Sequence, residues 1–383
     1  MVKVIAVVGA RPNFMKAAPV IEALRRQRDI DVMLVHTGQH YDREMSTLFF
    51  EELGMPRPDL DLQVGSGPHG EQTGHILIRL EPVLRDERPD VVIVFGDVNS
   101  TVAAALAAAK LGRVVAHVEA GLRSFDRTMP EELNRIVTDH LSDLLFTTEP
   151  SADENLLREG VSPDKIFRVG NAMVDSLLKH RERAGRCRFH ETIGLRPSSY
   201  GVLTLHRPSN VDVPHVFEEI LGAVAELSGR LPVVFPCHPR TRQHLVRAAA
   251  KLGVQIRGNG GGEGDRRFMV IEPLGYLEFL SLQADARLIL TDSGGIQEES
   301  MVLGVPCLTL RHNTERPITL RQGTNVLVGH SRSCILNEAA KVLDSRAPAA
   351  RVPELWDGHA GERIARIVAS LPLGARPGPN LST

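Results

Sequence analysis

Ser293, Gly294 and Gly295 stand between a short apolar run, Leu288 to Leu290, and a helical pattern over Ile296 to Leu303. Strand, glycine turn and helix together aim unpaired backbone N–H groups at an anion, and the helix dipole there favours negative charge. Two glycines remove the Cβ atoms that would hold a phosphate off, and Ser293 adds a hydroxyl donor. Glu298 and Glu299 follow inside the helix, where a carboxylate can accept two ribose hydroxyls. The spacing is neither GxGxxG nor a Walker loop, so the pattern reads as a nucleotide diphosphate site. An isolated SGG turn would bind nothing; its place in the C-terminal half of a long α/β chain favours the ligand.

A second set of reactive residues lies earlier. Asp97 and Glu119 follow two successive strand-like runs, Asp90 to Phe95 and Val114 to Val118. Glu131 and Glu132 open the next helical pattern after Met129-Pro130. Strand ends of an open α/β sheet face one crevice, so these acids suit proton transfer there. Duller roles compete: Asp97 as a helix cap, Glu131 and Glu132 as first-turn acids on a helix dipole. Glu119 has no cap to serve. Arg11 and Lys16 follow the first strand, Lys3 to Val8, and are placed to meet phosphate. His206 ends the strand Gly201 to Leu205 and mirrors Arg11.

These residues need strands and helices in alternation to hold them. After Asn13 to Gln27 (helix) and Asp31 to His36 (strand) come a helix around Met45 to Leu53, an irregular stretch from Pro56 to Pro68, and a helix from Glu71 to Glu87. Thr101 to Leu111 is an alanine-rich helix. Leu144 to Thr147 and Lys165 to Val169 are strands, with helices at Ser151 to Glu159 and Met173 to Arg183. Gly65 to Gly70 reads as a mobile loop and Gly185 to Ser199 as a linker. In the second half Leu231 to Phe235, Phe268 to Glu272, Val305 to Leu310 and Asn325 to Val328 are strands, and Gly258 to Gly264 is a glycine loop.

With 383 residues, two domains are the prior. Only 4% are aromatic, so the core must rest on Val, Leu, Ile and Ala. A formal charge of −2 argues against nucleic acid or a membrane surface as partner. No apolar run is long enough to span a bilayer. Cys187, Cys237, Cys307 and Cys334 are far apart with no CxxC spacing, and read as reduced thiols of a cytoplasmic protein. No ligand cluster has metal spacing.

Taken in order, Gly9-Ala10-Arg11-Pro12 with Lys16, Gly96-Asp97, His117 to Arg123 (HVEAGLR), Pro130 to Arg135 (PEELNR), His206-Arg207, Thr291 to Glu299 (TDSGGIQEE) and Thr314 to Pro317 (TERP) resemble the non-hydrolysing UDP-N-acetylglucosamine 2-epimerase family. The resemblance runs from about Val2 to Gly329. It implies an α/β fold of GT-B type, two Rossmann-like doubly wound domains with a cleft between them. Residues 1–185, joined by a C-terminal helix 358–372, would carry the catalytic acids; 186–357 would bind UDP; 373–383 would be a tail.

Position by position, the resemblance puts Asp97, Glu119, Glu131 and His206 at catalytic positions. It puts Arg11 and Lys16 on the nucleotide-sugar, Ser293, Gly294 and Gly295 on the diphosphate, Glu299 on the ribose, Arg316 beside the phosphates and Phe279 beside the uracil. A base-contacting position, often glutamine, is Leu274 here. The implied reaction is anti elimination of UDP across C1–C2 and re-addition, with no metal and no cofactor, in a homodimer. The segment Gln39 to Met45 departs from that of members activated by a second UDP-sugar. Together with Phe49-Phe50 and Arg123 to Phe125 it looks like a subgroup that includes enzymes acting on UDP-2,3-diacetamido-glucuronic acid. Alternatives are a GT-B glycosyltransferase, a hydrolysing relative and a non-enzymatic sensor; the last has no use for three acids.

Overall fold

The computed structural model describes residues 1–39, 50–253, 267–344 and 351–371. The expected glycine loop at 258–264, the segment 40–49 and the tail 373–383 lie outside the described residues, as does most of the helix expected around Met45 to Leu53.

The chain divides into two compact units. The first is Met1–Lys179 with the segment that begins at Pro353; the second is His180–Val352. The division falls at Lys179/His180, inside one helix, Ala172–Cys187, which runs three residues into the expected linker. A short helix, Phe189–Thr192, follows it. The C-terminal helix Ala360–Ala369 packs in the first unit on the helix Arg11–Arg25. There the Gly361 N–H donates to Asp175 at 2.8 Å.

The first unit is built on seven parallel strands, β1 (Val2–Val8), β2 (Ile30–His36), β3 (Leu60–Asp61), β4 (Val91–Phe95), β5 (Val114–Ala120), β6 (Leu144–Thr147) and β7 (Ile166–Arg168). Their order is β3-β2-β1-β4-β5-β6-β7. The second has β8 (Gly201–Thr204), β9 (Val233–Pro236), β10 (Phe268–Ile271), β11 (Leu288–Thr291), β12 (Cys307–Thr309) and β13 (Asn325–Leu327), in the order β10-β9-β8-β11-β12-β13. Both are doubly wound, with the order reversing between β1 and β4 and between β8 and β11. Parallel strands are covered on both faces, which is why β4 and β11 read as unbroken apolar runs and are buried throughout.

With so few aromatics the first core rests on aliphatics and alanine. Ala103, Ala104, Ala105 and Ala108, on the helix Asn99–Lys110, are fully buried. β3 is only two residues and sits inside the stretch read as irregular; the Asp59 carboxylate holds it to β2 by accepting the Leu34 N–H at 2.7 Å. Gly65 to Gly70 is not a detached loop: Gln72 donates to Gly65 O at 2.8 Å, and the helix starts at His69, not Glu71. Among the described residues no helix is long and apolar enough to cross a membrane.

Candidate active site

In a doubly wound sheet, ligands bind beyond the carboxyl ends of the strands where the order reverses. In the first unit that point lies after β1 and β4. Arg11 opens the helix after β1. Two residues on, Asn13 accepts from Gly9 N at 3.2 Å and donates to Phe95 O at 2.7 Å, tying the two strand ends together. Lys16 reaches across to Glu119, Nζ to Oε1, at 2.6 Å, with both side chains 5% exposed or less.

Glu119 is held by an unusual backbone. Its φ is +75°, a region that costs a non-glycine residue about 1–3 kcal/mol. The β5–β6 register shifts between Val118 and Ala120, and that bulge turns Glu119 toward Lys16. Fully buried partners support it from below. His117 bonds Gly96 O through Nε2 at 2.7 Å and Asp139 through Nδ1 at 2.6 Å. Asp139 also meets Arg123 at 2.7 Å and accepts the Gly121 N–H at 3.1 Å. Burial pushes the Asp139 carboxyl up, but His117 and Arg123 outweigh it and hold it below its ordinary value. Gly96 has φ +61°, and a Cβ there would stand 2.8 Å from Lys16 Nζ.

Asp97 is not a cap: the next helix begins at Asn99 with Val98 at the cap position and no side-chain cap bond. Its carboxylate is ion-paired with Arg135, and Asn134 donates to its carbonyl at 2.9 Å. Glu132 is no simple dipole acid either. It is buried, accepts from Ser124 N and Phe125 N at 2.9 Å each, and pairs with Arg135 at 2.5 Å. Glu131 beside it is half-buried and forms no ion pair among the described residues.

In the second unit the order reverses after β8 and β11, where His206 and Asp292 meet. Asp292 Oδ1 lies 2.8 Å from His206 Nδ1. The same carboxylate accepts from His206 N and Arg207 N, each at 3.0 Å, and from Asn210 at 3.2 Å. Burial alone would push the Asp292 carboxyl up; His206 and these donors hold it below its ordinary value. Ser293 stands at the N-cap position of the helix Gly294–Leu303 without a side-chain cap bond, and its N–H is already spent on Thr291 Oγ1 at 3.0 Å. That leaves its hydroxyl and the N–H groups of Gly294 and Gly295 as donors at the helix start.

The space that Gly294 leaves open is taken by Glu315: a Cβ there would lie 2.4 Å from its Oε1. Glu315 is in turn balanced by Arg311 at 2.7 Å and Arg207 at 3.5 Å. Arg316 stands at the N-cap position of the short helix Pro317–Arg321. It is buried, with Nε 2.9 Å from the fully buried Glu298. Glu299 is also buried and accepts from Gln283 at 2.9 Å; desolvation outweighs that bond and pushes its carboxyl up to about 7. Phe279, on the helix Tyr276–Ala284, is half-buried with Leu274 and Ile296 at the edge of a core cluster.

The structure thus joins Lys16 with Glu119 in one unit and sets His206 beside the Ser293 turn in the other. Sequence reasoning passed over Asp292, Arg135, Asp139 and Gln283. Asp292 and Arg135 stood inside the quoted motifs, but a lone acid at a strand end and an arginine in a helix carry no signal of their partners. Asp139 and Gln283 carried no signal at all.

The family model described as UDP-N-acetylglucosamine 2-epimerase matches residues 22–369. The UDP-N-acetylglucosamine 2-epimerase of Methanocaldococcus jannaschii is 44% identical over 371 residues, 96% of this chain and 98% of the relative. The UDP-2,3-diacetamido-2,3-dideoxy-D-glucuronate 2-epimerase of Pseudomonas aeruginosa is 42% identical over 96% of this chain and 100% of its own. A crystal structure of the M. jannaschii enzyme in complex with UDP-GlcNAc and UDP superposes with a TM-score of 0.87, covering 96% of this chain and 99% of that one. On the matched profile, these relatives and the two doubly wound sheets, the chain belongs to the UDP-N-acetylglucosamine 2-epimerase family.

Proposed function

We propose that this chain interconverts UDP-N-acetylglucosamine and UDP-N-acetylmannosamine without hydrolysis. The second unit holds UDP, and Asp97, Glu119 and Glu131 of the first act on the sugar. The observation that carries this reading is the 44% identity, across 96% of the chain, with an enzyme named for that epimerisation.

No carbonyl lies next to C2, so its hydrogen is not acidic and direct deprotonation is closed. Elimination opens a route. A base takes the C2 hydrogen, the C1–O bond to UDP breaks, and a 2-acetamidoglucal and UDP remain. UDP oxygen then re-forms the C1 bond while a proton returns to C2 on the opposite face. The site's acids fit that traffic. Glu119 and Asp97 are each held by a cation, Lys16 and Arg135. Glu131, with no such cation among the described residues, is our candidate for carrying the returning proton. Positioned acid–base groups contribute about 10²- to 10⁴-fold. Ser293, Gly294, Gly295, Arg11, Lys16 and Arg316 stabilise the charge on departing UDP, His206 meets diphosphate or sugar, and Phe279 flanks the base.

The ribose role of Glu299 makes a pH prediction. Ribose hydroxyls donate to the ionised carboxylate, yet without ligand the group keeps its proton up to about pH 7. Binding therefore expels a proton, and affinity falls as pH drops below about 7, by up to about tenfold per pH unit. Calorimetry with UDP-GlcNAc, whose diphosphate diester does not titrate in this range, in two buffers of different ionisation enthalpy measures the proton released. Glu299→Gln is expected to remove that release. An unchanged proton count in the variant contradicts the assignment.

A second reading is favoured by one observation: the diacetamido-glucuronate epimerase is nearly as similar, 42% against 44%. Comparing kcat/KM on the two UDP-sugars decides between them. The larger value is expected with UDP-GlcNAc, and a larger value with the uronate would transfer the assignment to it.

A further inference from the structure

We propose that Asp292 is a positioning residue for this reaction, acting through His206; the inference rests on the reading above, in which His206 meets diphosphate or sugar. Asp292 is fully buried at the end of β11, and a buried carboxylate needs donors on every side. Three of them, His206 N, Arg207 N and Asn210 Nδ2, are enough to fold the strand end around it. The fourth needs another explanation. His206 Nδ1 lies 2.8 Å from Oδ1 although the imidazole is 60% exposed.

An exposed ring ordinarily turns freely and gives up that freedom only at a cost. Here a buried anion holds one face of it. A carboxylate without a hydrogen can only accept, so the Nδ1 atom must carry the hydrogen, and Nε2 alone faces outward. The ring's tautomer and direction are therefore set before any substrate arrives. The order reversal between β8 and β11 puts His206 against Asp292, two residues before the start of the helix Gly294–Leu303. Preset direction of this kind is worth on the order of 10²-fold in rate.

The test is a double-mutant cycle on the full chain, reading kcat and KM for UDP-GlcNAc and the affinity for UDP. Asp292→Asn and His206→Asn are each expected to lower kcat on the order of 10²-fold with little change in KM. The double variant is expected to be no slower than His206→Asn alone. Effects that multiply overturn the proposal, because Asp292 would then act independently of His206; native kcat in Asp292→Asn overturns it too. Native kcat in His206→Asn instead removes the wider reading of His206, and this one with it. If Asp292→Asn does not fold, ¹⁵N NMR of the histidine ring in the unaltered enzyme decides. A hydrogen on Nδ1 of His206 supports the proposal, and the tautomer with its only hydrogen on Nε2 overturns it.

Discussion

Glu119→Gln is expected to lower kcat by about 10²- to 10⁴-fold and to leave UDP affinity unchanged. Glu119 sits on a backbone bulge and is paired with Lys16 where both are buried. The amide keeps the shape but can no longer take a proton. In the proposed reading UDP is held by the second unit, so its binding is expected to stay unchanged. The substitution also strands the Lys16 ammonium, and a half-removed buried pair costs about 3–5 kcal/mol. Adding Lys16→Met to the variant is therefore expected to recover stability without recovering turnover. Progress curves by UDP-sugar chromatography and a UDP titration measure both effects. A loss in kcat below tenfold would remove Glu119 from the chemistry.

A loss of stability as large is expected from Asp139→Asn, about 3–5 kcal/mol for breaking a buried charge cluster. Asp139 is fully buried and holds His117, Arg123 and the Gly121 N–H at once. Through His117 it also holds Gly96, whose missing Cβ leaves room for Lys16 Nζ, so activity should fall with stability. The folded group sits below its ordinary value of 3.8. Its contribution is therefore complete above that value and is lost as pH falls through the lower, folded one. The deficit of the variant should be full at pH 7 and shrink toward pH 3. The only tryptophan, Trp356, is buried in the first unit with its indole bonded to Thr148 O at 2.9 Å. Its fluorescence during urea denaturation follows that unit. A midpoint unchanged from the parent protein at pH 7 would contradict the role given to Asp139.

Much of this architecture was legible in the chain. Unbroken aliphatic runs such as Val91 to Phe95 and Leu288 to Leu290 mark parallel strands because both faces are covered. The residues after them fall at the strand ends, where Asp97, Glu119, His206 and Ser293 lie. What escaped depends on partners far away in sequence. Nothing local shows that Glu132 serves backbone N–H groups of Ser124 and Phe125, or that Gly294 is small to admit Glu315. The positive φ of Glu119 is imposed by long-range contacts, not by its own preference. β3 is too short to show a period and is held by Asp59. The last turn of the helix Ala172–Cys187 reads as the start of a linker because it is polar and basic and contains Gly185.

In the proposed reaction the sugar is inverted at C2 by elimination and re-addition, with the proton exchanged through the enzyme's acids. Proton NMR of the purified protein with UDP-GlcNAc in D2O tests it directly. UDP-ManNAc carrying deuterium at C2 is expected, with no free sugar accumulating. UDP-ManNAc that retains the original hydrogen throughout, or free N-acetylmannosamine and UDP in place of the epimer, would contradict it.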